Sequence, residues 1–292
     1  MVVAIYSRKT NKQTSQYLSE LLAIFHSYGW QVVLHQDLKK NCIGKVNGID
    51  TLGVFSNYKD FQSGIDLMIS MGGDGTFIES VGFIRNSEVP ILGINTGRLG
   101  FLANIARENI EAALDLVYRK QFEFQSRSLL RVFTEENLYG EDNFALNEVT
   151  FHKKDTSSMI TVHAYLDNKY LNSYWADGLI VSTPTGSTAY SLSCGGPIVT
   201  PGCRVHILTP IAPHNLNVRP MVVPDHMPIK LSLEGRERKY LISLDGKSKS
   251  IKQGEEVMIT KAEFMVNVIK FEDNNFLDTI RNKMMWGLDK RN

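Results

Sequence analysis

One eight-residue run, from Ile69 to Thr76, constrains the fold more than any other part of the sequence. It reads Ile-Ser-Met-Gly-Gly-Asp-Gly-Thr. The apolar residues that begin at Ile65 predict a buried strand that ends at this run, and we expect a helix from Thr76 onward. A strand joined to a helix by a tight glycine turn is the repeating unit of α/β domains. The run therefore predicts a sheet with helices packed on it.

The same turn suggests a chemistry. Gly72, Gly73 and Gly75 lack Cβ atoms, so they can adopt positive φ and let an anion approach the backbone. The N–H groups at the start of a helix favour a phosphate there. Asp74 would repel a phosphate, which suggests that it handles a metal or a hydroxyl proton, as phosphoryl transfer to an alcohol requires. The simpler alternative is a tight Asp-Gly turn without a ligand.

Strands and helices alternate through residues 1–122. The predicted elements are a strand Val2–Tyr6, a helix capped by Thr14 or Ser15 and ended by Gly29, a strand Gln31–His35, mostly loop from Asp37 to Gln62, a helix to about Ile84, a strand Ile91–Ile94, and a helix from about Asn109 to Arg119. This order predicts a doubly wound, largely parallel sheet, in which ligands bind beyond the carboxyl ends of the strands. The Ile69–Thr76 run and a second glycine loop, Asn95–Leu102, both lie at such ends.

The pattern changes after Phe122. Short strands separated by turns predict a β-rich domain over residues 123–272, and residues 273–292 are expected to be helical and to pack back on the first domain. The predicted strands are Leu129–Thr134, Met159–Leu166, Leu179–Ser182, Val205–Thr209, Ile229–Leu233, Tyr240–Leu244 and Phe264–Phe271.

Two polar stretches of this second region are candidate binding segments. The run from Asp177 to Ser193 ends a strand in a turn rich in hydroxyl groups, where Ser187 or Thr188 can cap a short helix. Its hydroxyls and amides suit a ribose, an amide or a phosphate, although a capped, solvated loop explains them equally well. Asn147 and Glu148 can read an adenine edge and a ribose hydroxyl, although an ordinary polar pair in a strand is the simpler explanation.

The amino-acid composition argues against several classes of protein. The 292 residues carry 32 Lys plus Arg and 31 Asp plus Glu, so no overall field attracts nucleic acid or an anionic membrane. Three cysteines without a Cys-x-x-Cys pair, and histidines without His-x-x-x-His spacing, argue against a disulfide framework and a protein-built zinc site. We expect a cytoplasmic protein, because no signal-like or membrane-length apolar segment is present.

Taken in order, these motifs resemble those of the NAD kinases. The resemblance rests on Gly72–Thr76, the Asn95–Leu102 loop, Asn147-Glu148, and the stretch from Asp177 to Ser193 with Gly195-Gly196-Pro197, and it extends from about residue 66 to the end. The segment Gly72–Thr76, which we call the glycine box, is also found in lipid kinases and phosphofructokinase-type kinases. The run Ser182–Tyr190 is far more specific.

The resemblance implies phosphorylation of the 2′-hydroxyl of the adenosine ribose of NAD to give NADP, with Asp74 as general base. Gly72, Gly73, Gly75 and Thr76 would hold the phosphates, and Phe101 would stack near the adenine. The implied NAD-binding residues are Asp74, Gly75, Asn147, Glu148, Trp175, Asp177, Thr188, Ala189, Tyr190, Ser191, Leu192, Ser193, Ala212 and Lys247.

Two positions depart from the family pattern. Trp175 stands where some members have a basic residue, and an indole can stack on a base but cannot pair with a phosphate. Lys247 stands where an amide is common; it would favour an anion, although a solvated turn lysine is the simpler explanation.

The resemblance also implies ATP as donor with Mg²⁺ or a similar cation, and a homodimer or homotetramer. No Gly-x-x-x-x-Gly-Lys-Ser/Thr loop is present to hold ATP, so that role falls to the glycine box. Inorganic polyphosphate remains open as a donor. A lipid kinase that shares the box should carry an apolar access surface or a basic amphipathic helix, and neither is found. A non-catalytic dinucleotide sensor should lack the acid of the box, and Asp74 is present.

Overall fold

The structure is a computed structural model that describes residues 1–62, 64–97, 100–154, 159–272 and 275–286. The chain divides into two compact units, Met1–Ser126 with Val266–Asn292, and Arg127–Met265. We call them unit 1 and unit 2.

The elements follow one another in three groups. The first group is β1 Val2–Tyr6, α1 Lys12–Ser27, β2 Gln31–His35, α2 Gln36–Cys42, β3 Gly53–Phe55, β4 Leu67–Met71, α3 Asp74–Ile84, β5 Ile91–Ile94 and α4 Ile110–Tyr118. The second group is β6 Glu123–Thr134, β7 Phe144–Ala145, β8 Glu148–His152, β9 Ile160–Leu166, β10 Lys169–Ala176, β11 Gly178–Ser182, α5 Tyr190–Ser193, β12 Val205–Ile211, β13 Met221–Pro224, β14 Ile229–Glu234, β15 Lys239–Leu244 and β16 Lys247–Lys252. The chain ends with β17 Glu256–Lys270 and α6 Phe276–Met284.

Unit 1 is built on a parallel sheet in the order β3-β2-β1-β4-β5, extended by the end of β17 next to β5. Every residue of β4 and β5 is buried, as expected for central parallel strands covered on both faces. The order reverses direction between β1 and β4, so the carboxyl ends of these two strands form the topological switch point. The predicted doubly wound sheet is confirmed.

Unit 2 is antiparallel. One sheet runs β10-β9-β14-β17, with β6 paired to β17 and β7, and the other runs β13-β12-β11-β8-β15-β16. Strand β9 alternates buried and half-buried residues, the period-two pattern of a strand with one face on a core. That core takes apolar side chains from both sheets, whereas unit 1 has a separate core around α1, α4 and the parallel sheet. The predicted β-rich character of this region is confirmed, and α6 belongs to unit 1.

Several local predictions are wrong. Asn11, and not Thr14 or Ser15, caps α1; Thr14 is the third residue of a capping box, with its N–H 2.9 Å from Asn11 Oδ1. Gly29 does follow the helix end with φ of 66°. The segment predicted as loop between residues 37 and 62 contains α2, β3 and two 3₁₀ turns, Ile49–Thr51 and Tyr58–Phe61. These pieces are too short to show a clear period; α2, for instance, buries only Leu38 and Cys42.

The strand predictions were incomplete as well. Besides β3, four strands are not predicted from the sequence, namely β7, β10, β13 and β16. Strand β16 reads Lys-Ser-Lys-Ser-Ile-Lys and buries only Ile251, so its sequence carries no apolar alternation. It lies at the edge of its sheet, where charged strands are common.

Candidate active site

The glycine turn between β4 and α3 has a different local geometry from the one predicted. None of Gly72, Gly73 and Gly75 has a positive φ, and α3 begins at Asp74 and not at Thr76. The requirement for glycine at position 72 is steric, because a Cβ there would lie 2.3 Å from the Thr76 hydroxyl oxygen. Cβ atoms on Gly73 and Gly75 would meet no atom within 4 Å. These two glycines therefore leave open space above the backbone, as a bulky ligand requires.

Asp74 is held by the second glycine loop. Its Oδ2 accepts the backbone N–H of Phe101 at 2.8 Å, and its Oδ1 accepts those of Leu102 at 3.0 Å and Ala103 at 2.9 Å. A carboxylate offers about four acceptor positions, so three are used and the side chain is fixed in place. Gly100 makes this possible, because a Cβ there would lie 1.8 Å from Oδ1 of Asp74.

A cavity of about 400 Å³ opens at the switch point of unit 1, and we call it the switch-point cleft. It receives residues that follow β1, β4 and β5, together with the first turn of α1. The residues that line it are Ser7, Arg8, Lys9, Asn11, Gln13, Thr14, Tyr17, Gly72, Gly73, Gly75, Thr76, Asn95, Thr96 and Gly97. The four predicted phosphate-binding residues of the glycine box thus lie together on one wall.

Phe101 contacts the C-terminal helix α6. Its ring centroid is 6.5 Å from the Phe276 ring centroid and 5.5 Å from the Lys283 ammonium. Leu99, which belongs to the family loop motif, lies outside the described residues.

In unit 2, Asn147 and Glu148 are held by a carboxylate from another hairpin. Asp245 accepts the backbone N–H groups of Leu146 at 2.6 Å, Asn147 at 2.9 Å and Glu148 at 3.1 Å. Asp245 and Gly246 both have positive φ and form the two-residue turn between β15 and β16. The turn therefore closes a hairpin and anchors the start of β8 at the same time.

Each of these two predicted reading groups has one buried side-chain oxygen that lacks a hydrogen-bond partner in the described part of the chain. Among the described residues, Asn147 Oδ1 and Glu148 Oε2 make no hydrogen bond. Burial, and then the charge of Asp245, raise the pKa of Glu148 to about 8, while a backbone N–H from Tyr190 opposes the shift. Unpaired buried polar atoms are costly, so their presence favours a ligand that supplies the missing bonds.

Most hydroxyls of the hydroxyl-rich stretch are hydrogen-bonded within unit 2, whereas Ser182 Oγ is buried without a partner among the described residues and Ser193 is exposed. Thr183 Oγ1 donates to the Leu146 carbonyl at 2.6 Å, and Ser187 Oγ donates to the Pro184 carbonyl at 2.7 Å. Neither Ser187 nor Thr188 caps a helix, since the 3₁₀ turn Gly186–Thr188 and α5 have no side-chain cap. These bonds fix the path of the backbone beside Asn147.

Residues 188–193 differ in exposure. Ser191 is buried, with its hydroxyl 2.8 Å from that of Thr209, whereas Thr188, Ala189 and Leu192 are half-buried. Tyr190 and Ser193 are exposed.

Asp177 directly precedes β11, which pairs with β8, and Tyr190 begins α5, with its backbone N–H bonded to the Glu148 carboxyl. Lys153 Nζ is 2.6 Å from Asp177 Oδ1, and both side chains are partly exposed. The Tyr190 ring stacks on the His152 ring at 5.7 Å between centroids, and burial lowers the pKa of His152, which favours its neutral form. The structure thus gathers a carboxylate, an aromatic face and the Asn147-Glu148 pair.

Trp175 and Ala212 lie side by side. The Asp177 N–H donates to the Ile211 carbonyl, and the His214 N–H donates to the Trp175 carbonyl, so residues 211–214 run along the strand end. Trp175 is 51% exposed and its ring contacts His214. Ala212 has φ of 44°, an uncommon conformation for a residue with a side chain, and such strain clusters at functional sites.

Lys247 is exposed directly after the Asp245-Gly246 turn. Among the described residues it has no carboxylate partner within ion-pair distance. This placement leaves both the anion-binding and the solvated-turn interpretations available.

The comparisons with known proteins agree along the whole chain. The model of the ATP-NAD kinase N-terminal domain matches residues 3–122, and that of the ATP-NAD kinase C-terminal domain matches residues 146–271. An NAD kinase from Flavobacterium psychrophilum is 47% identical, with all of both chains covered. The chain belongs to the NAD kinase family.

Other NAD kinases give the same result. The chain is 38% identical to one from Bacteroides fragilis, again over the full length of both. A solved NAD kinase from Archaeoglobus fulgidus in complex with ATP superposes with a TM-score of 0.74 at 26% identity, covering 96% of this chain and 99% of that one. A yeast NADH kinase complexed with NADH superposes with a TM-score of 0.86 at 23% identity, covering 98% and 88%, and supports the fold. Membership of the NAD kinase family makes this chain a phosphotransferase.

Four residues that the sequence prediction does not include hold candidate site residues in place within their own units. Gly100 makes room for Asp74, Asp245 anchors Asn147-Glu148, and Lys153 pairs with Asp177. His152 supplies the ring under Tyr190. An Asp-Gly pair directly after the alternating strand β15 could have predicted a turn at residue 245. Its contact with residues almost 100 positions away left no local signal.

Proposed function

We propose that this chain transfers the γ-phosphoryl group of ATP to the 2′-hydroxyl of the adenosine ribose of NAD, giving NADP and ADP. The observation that carries the proposal is the pair of buried, unpartnered acceptors, Asn147 Oδ1 and Glu148 Oε2. Together they suit the amino edge of an adenine and a ribose hydroxyl. The names of the relatives and the ATP in the A. fulgidus structure support the choice of acceptor and donor.

In the proposed reaction the ribose oxygen forms a bond to the γ-phosphorus while the bond to the ADP oxygen breaks. The hydroxyl proton leaves toward Asp74. With three acceptor positions of Asp74 already used, one remains for the hydroxyl, so Asp74 acts chiefly by orienting it. Phosphoryl transfer has a loose transition state that depends on positioning more than on a strong base.

Residues of unit 2 are assigned to the dinucleotide. Glu148 and Asn147 bind the adenosine, Asp177 and Tyr190 contact the nucleotide, and Trp175 offers a stacking face. The remaining proposed contacts are Thr188, Ala189, Ser191, Leu192, Ser193, Ala212 and Lys247, together with Gly75 of the glycine box.

A divalent cation is expected to arrive with the donor. No group of three or more His, Cys, Asp or Glu side chains suited to a metal occurs within the described part of the chain. Mg²⁺ is commonly bound through phosphates with few protein ligands, which fits such a donor set. When bound, the cation would neutralise charge on the phosphates.

The test is an assay of the purified chain with ATP and Mg²⁺, with NAD, NADH and a diacylglycerol offered in parallel. We expect NADP from NAD, with the new phosphate on the 2′ oxygen by ³¹P NMR. Phosphorylation of the lipid alone would overturn the acceptor assignment. Absence of turnover together with measurable NAD binding would favour a dinucleotide sensor.

Assembly and location are separate parts of the proposal. We propose a homodimer or homotetramer, to be checked by light scattering, and a cytoplasmic location, to be checked by cell fractionation. No helix in the described ranges is both long and apolar enough to cross a membrane.

A further inference from the structure

Two of the unit 2 residues that we assign to the dinucleotide carry a carboxyl group, namely Glu148 and Asp177. Burial, and then the charge of Asp245, raise the pKa of Glu148 to about 8, so the neutral form of this carboxyl is favoured at pH 7. Among the assigned residues, Asp177 is therefore the one that brings a negative charge. A dinucleotide is itself an anion, so the partner of Asp177 affects which dinucleotide is accepted.

Lys153 is the partner of Asp177 at the end of the β8–β11 pair. The last paired residues of these strands are His152 and Gly178, and the Lys153 N–H continues the ladder by donating to the Asp177 carbonyl at 3.1 Å. Lys153 Nζ lies 2.6 Å from Asp177 Oδ1, and the two side chains are 20% and 35% exposed. Partly exposed ion pairs add little to stability. The main effect of this pair is therefore on the charge of Asp177.

The charge of Asp177 reaches the segment that we assign to the nucleotide. Burial lowers the pKa of His152, and the charge of Asp177 opposes this shift. Burial is also the main cause that raises the pKa of Tyr190, and the charge of Asp177 adds to it. The rings of His152 and Tyr190 stack on each other. A carboxylate that acts on this stack also acts on a charged ligand beside it, so Lys153 controls the charge that the ligand meets.

We infer that Lys153 is a specificity-determining residue, which neutralises Asp177 and so allows the site to accept the reduced dinucleotide as well as the oxidised one. NADH carries one more negative charge than NAD, because its nicotinamide ring has lost the positive charge of the oxidised ring. An uncompensated Asp177 would therefore repel NADH more strongly than NAD. This inference rests on the proposed function: with NADH the same phosphoryl transfer to the 2′-hydroxyl gives NADPH and ADP. Lys153 acts through Asp177 and not on the reacting atoms.

The test compares the wild-type chain with Lys153→Met, Lys153→Arg and the matched control Lys154→Met. Lys154 is exposed and forms no ion pair with a described residue, so its replacement removes the same charge without freeing Asp177. The kcat/KM values for NAD and for NADH are measured at saturating ATP and Mg²⁺. In Lys153→Met the ratio of the NADH value to the NAD value should fall about three- to fivefold, the effect expected of one partly exposed ion pair. Lys153→Arg keeps the charge, so its ratio should stay within about twofold of the wild type.

A double variant separates the charge of Lys153 from a structural role. Lys153→Met combined with Asp177→Asn removes both charges, so the ratio should return toward the wild-type value even where kcat/KM falls for both dinucleotides. The shift in Lys153→Met should also shrink between about 0.05 M and 0.5 M salt, because salt screens the freed charge of Asp177. A structural role would instead lower both kcat/KM values equally and would leave their ratio unchanged by salt or by the second substitution.

The outcomes distinguish this inference from the proposed function. An unchanged ratio in Lys153→Met, an equal shift in Lys154→Met, or a wild type that phosphorylates NAD but not NADH overturns the inference and leaves the proposed function intact. For the reverse case, the Kd of each dinucleotide is measured by calorimetry without ATP. A ratio of Kd values that shifts in Lys153→Met alone among the single variants supports the inference even without NADP formation. An unshifted ratio, or a wild type that binds neither dinucleotide, overturns it.

Discussion

At the scale of single residues, the two candidate carboxyl groups, Asp74 in unit 1 and Glu148 in unit 2, are held in opposite ways. Asp74 has both oxygens occupied by backbone N–H groups of one loop. Glu148 is buried with one oxygen unpartnered and a pKa raised to about 8. The first arrangement fixes the Asp74 side chain in position, and the raised pKa of Glu148 favours its neutral carboxyl form.

Replacing Asp74 tests its proposed role in the reaction. Asp74→Asn should lower kcat by about 10²–10⁴-fold, because the amide cannot take the hydroxyl proton and turns an NH₂ group toward backbone donors. The Kd for NAD should change little. Steady-state kinetics and calorimetry measure the two quantities, with Asp115→Asn, in a surface pair with Arg119, as control. Near-normal kcat would remove Asp74 from the reaction.

The raised pKa of Glu148 predicts a pH effect on stability. Its folded-state pKa of about 8 lies above the ordinary value of 4.5, so the proton stabilises the folded protein at low pH. This stabilisation is complete below about pH 4.5 and is lost as the pH rises through about 8. The wild type loses this stabilisation between pH 5 and 9, whereas Glu148→Gln, which has no titrating proton there, does not. The Tm of the variant minus the Tm of the wild type should therefore increase by roughly 5 °C over this range.

Thermal unfolding across that range measures this gap, the difference in Tm between the variant and the wild type. Glu135→Gln, at an exposed position of unit 2, is the control and should show a constant gap. A constant gap in Glu148→Gln as well would mean that the carboxyl ionises near its ordinary value.

At the scale of elements, each of the two candidate carboxyl groups depends on a loop or turn that contacts an element distant in sequence. The loop after β5 encloses Asp74, and the β15–β16 turn holds the start of β8. Each contact uses a carboxylate to satisfy three backbone donors. The site geometry is therefore a property of paired elements and not of either segment alone.

Gly100→Ala tests the first of these contacts. The new Cβ would lie 1.8 Å from Oδ1 of Asp74, so loop or carboxylate must move, and kcat should fall at least tenfold. Gly82→Ala, within α3, meets nothing within 4 Å and should be neutral or stabilising by roughly 0.5–1 kcal/mol. Equal kinetics in the two variants would show that the loop does not fix Asp74.

Asp245→Asn tests the second contact. Asparagine tolerates the positive φ of the turn, so the hairpin should form, but the charge that binds three N–H groups is lost. We expect the KM for NAD to rise about tenfold with a smaller change in kcat. Asp167→Asn is the control, since Asp167 and Asn168 form the corresponding turn between β9 and β10 and Asp167 is exposed. A similar KM in both variants would contradict the anchoring role.

At the scale of the whole molecule, each unit has a core of its own. Phe25 and Leu21 belong to the core of unit 1, and Leu231 and Phe151 to that of unit 2. A unit with its own core can fold independently.

The fragment 127–265 should therefore give a β-type circular dichroism spectrum and melt cooperatively. Leu231→Ala, which removes a fully buried side chain, should destabilise it by about 2–5 kcal/mol. Thr161→Ala, at a half-buried position of β9, is the control. A fragment that melts without a cooperative transition would show that unit 2 needs the rest of the chain.

The sequence by itself determined the elements with a clear period and the local motifs. Apolar runs such as β4 and β5, the glycine box and the turn after Ser182 follow from residues close together in the chain, and they are enough to indicate the fold class and the family. Short or charged pieces such as α2 and β16 escaped, because tertiary contacts and not periodicity hold them in place.

Only the tertiary structure decided how the site is held. The Asp74 carboxylate is bound by residues 27–29 positions away, and Asp245 binds residues 97–99 positions away. Arg8 and Lys9 face the glycine box because β1 and β4 are neighbours in the sheet although 60 residues separate them. Such contacts depend on strand order and burial, which no local pattern of the sequence records.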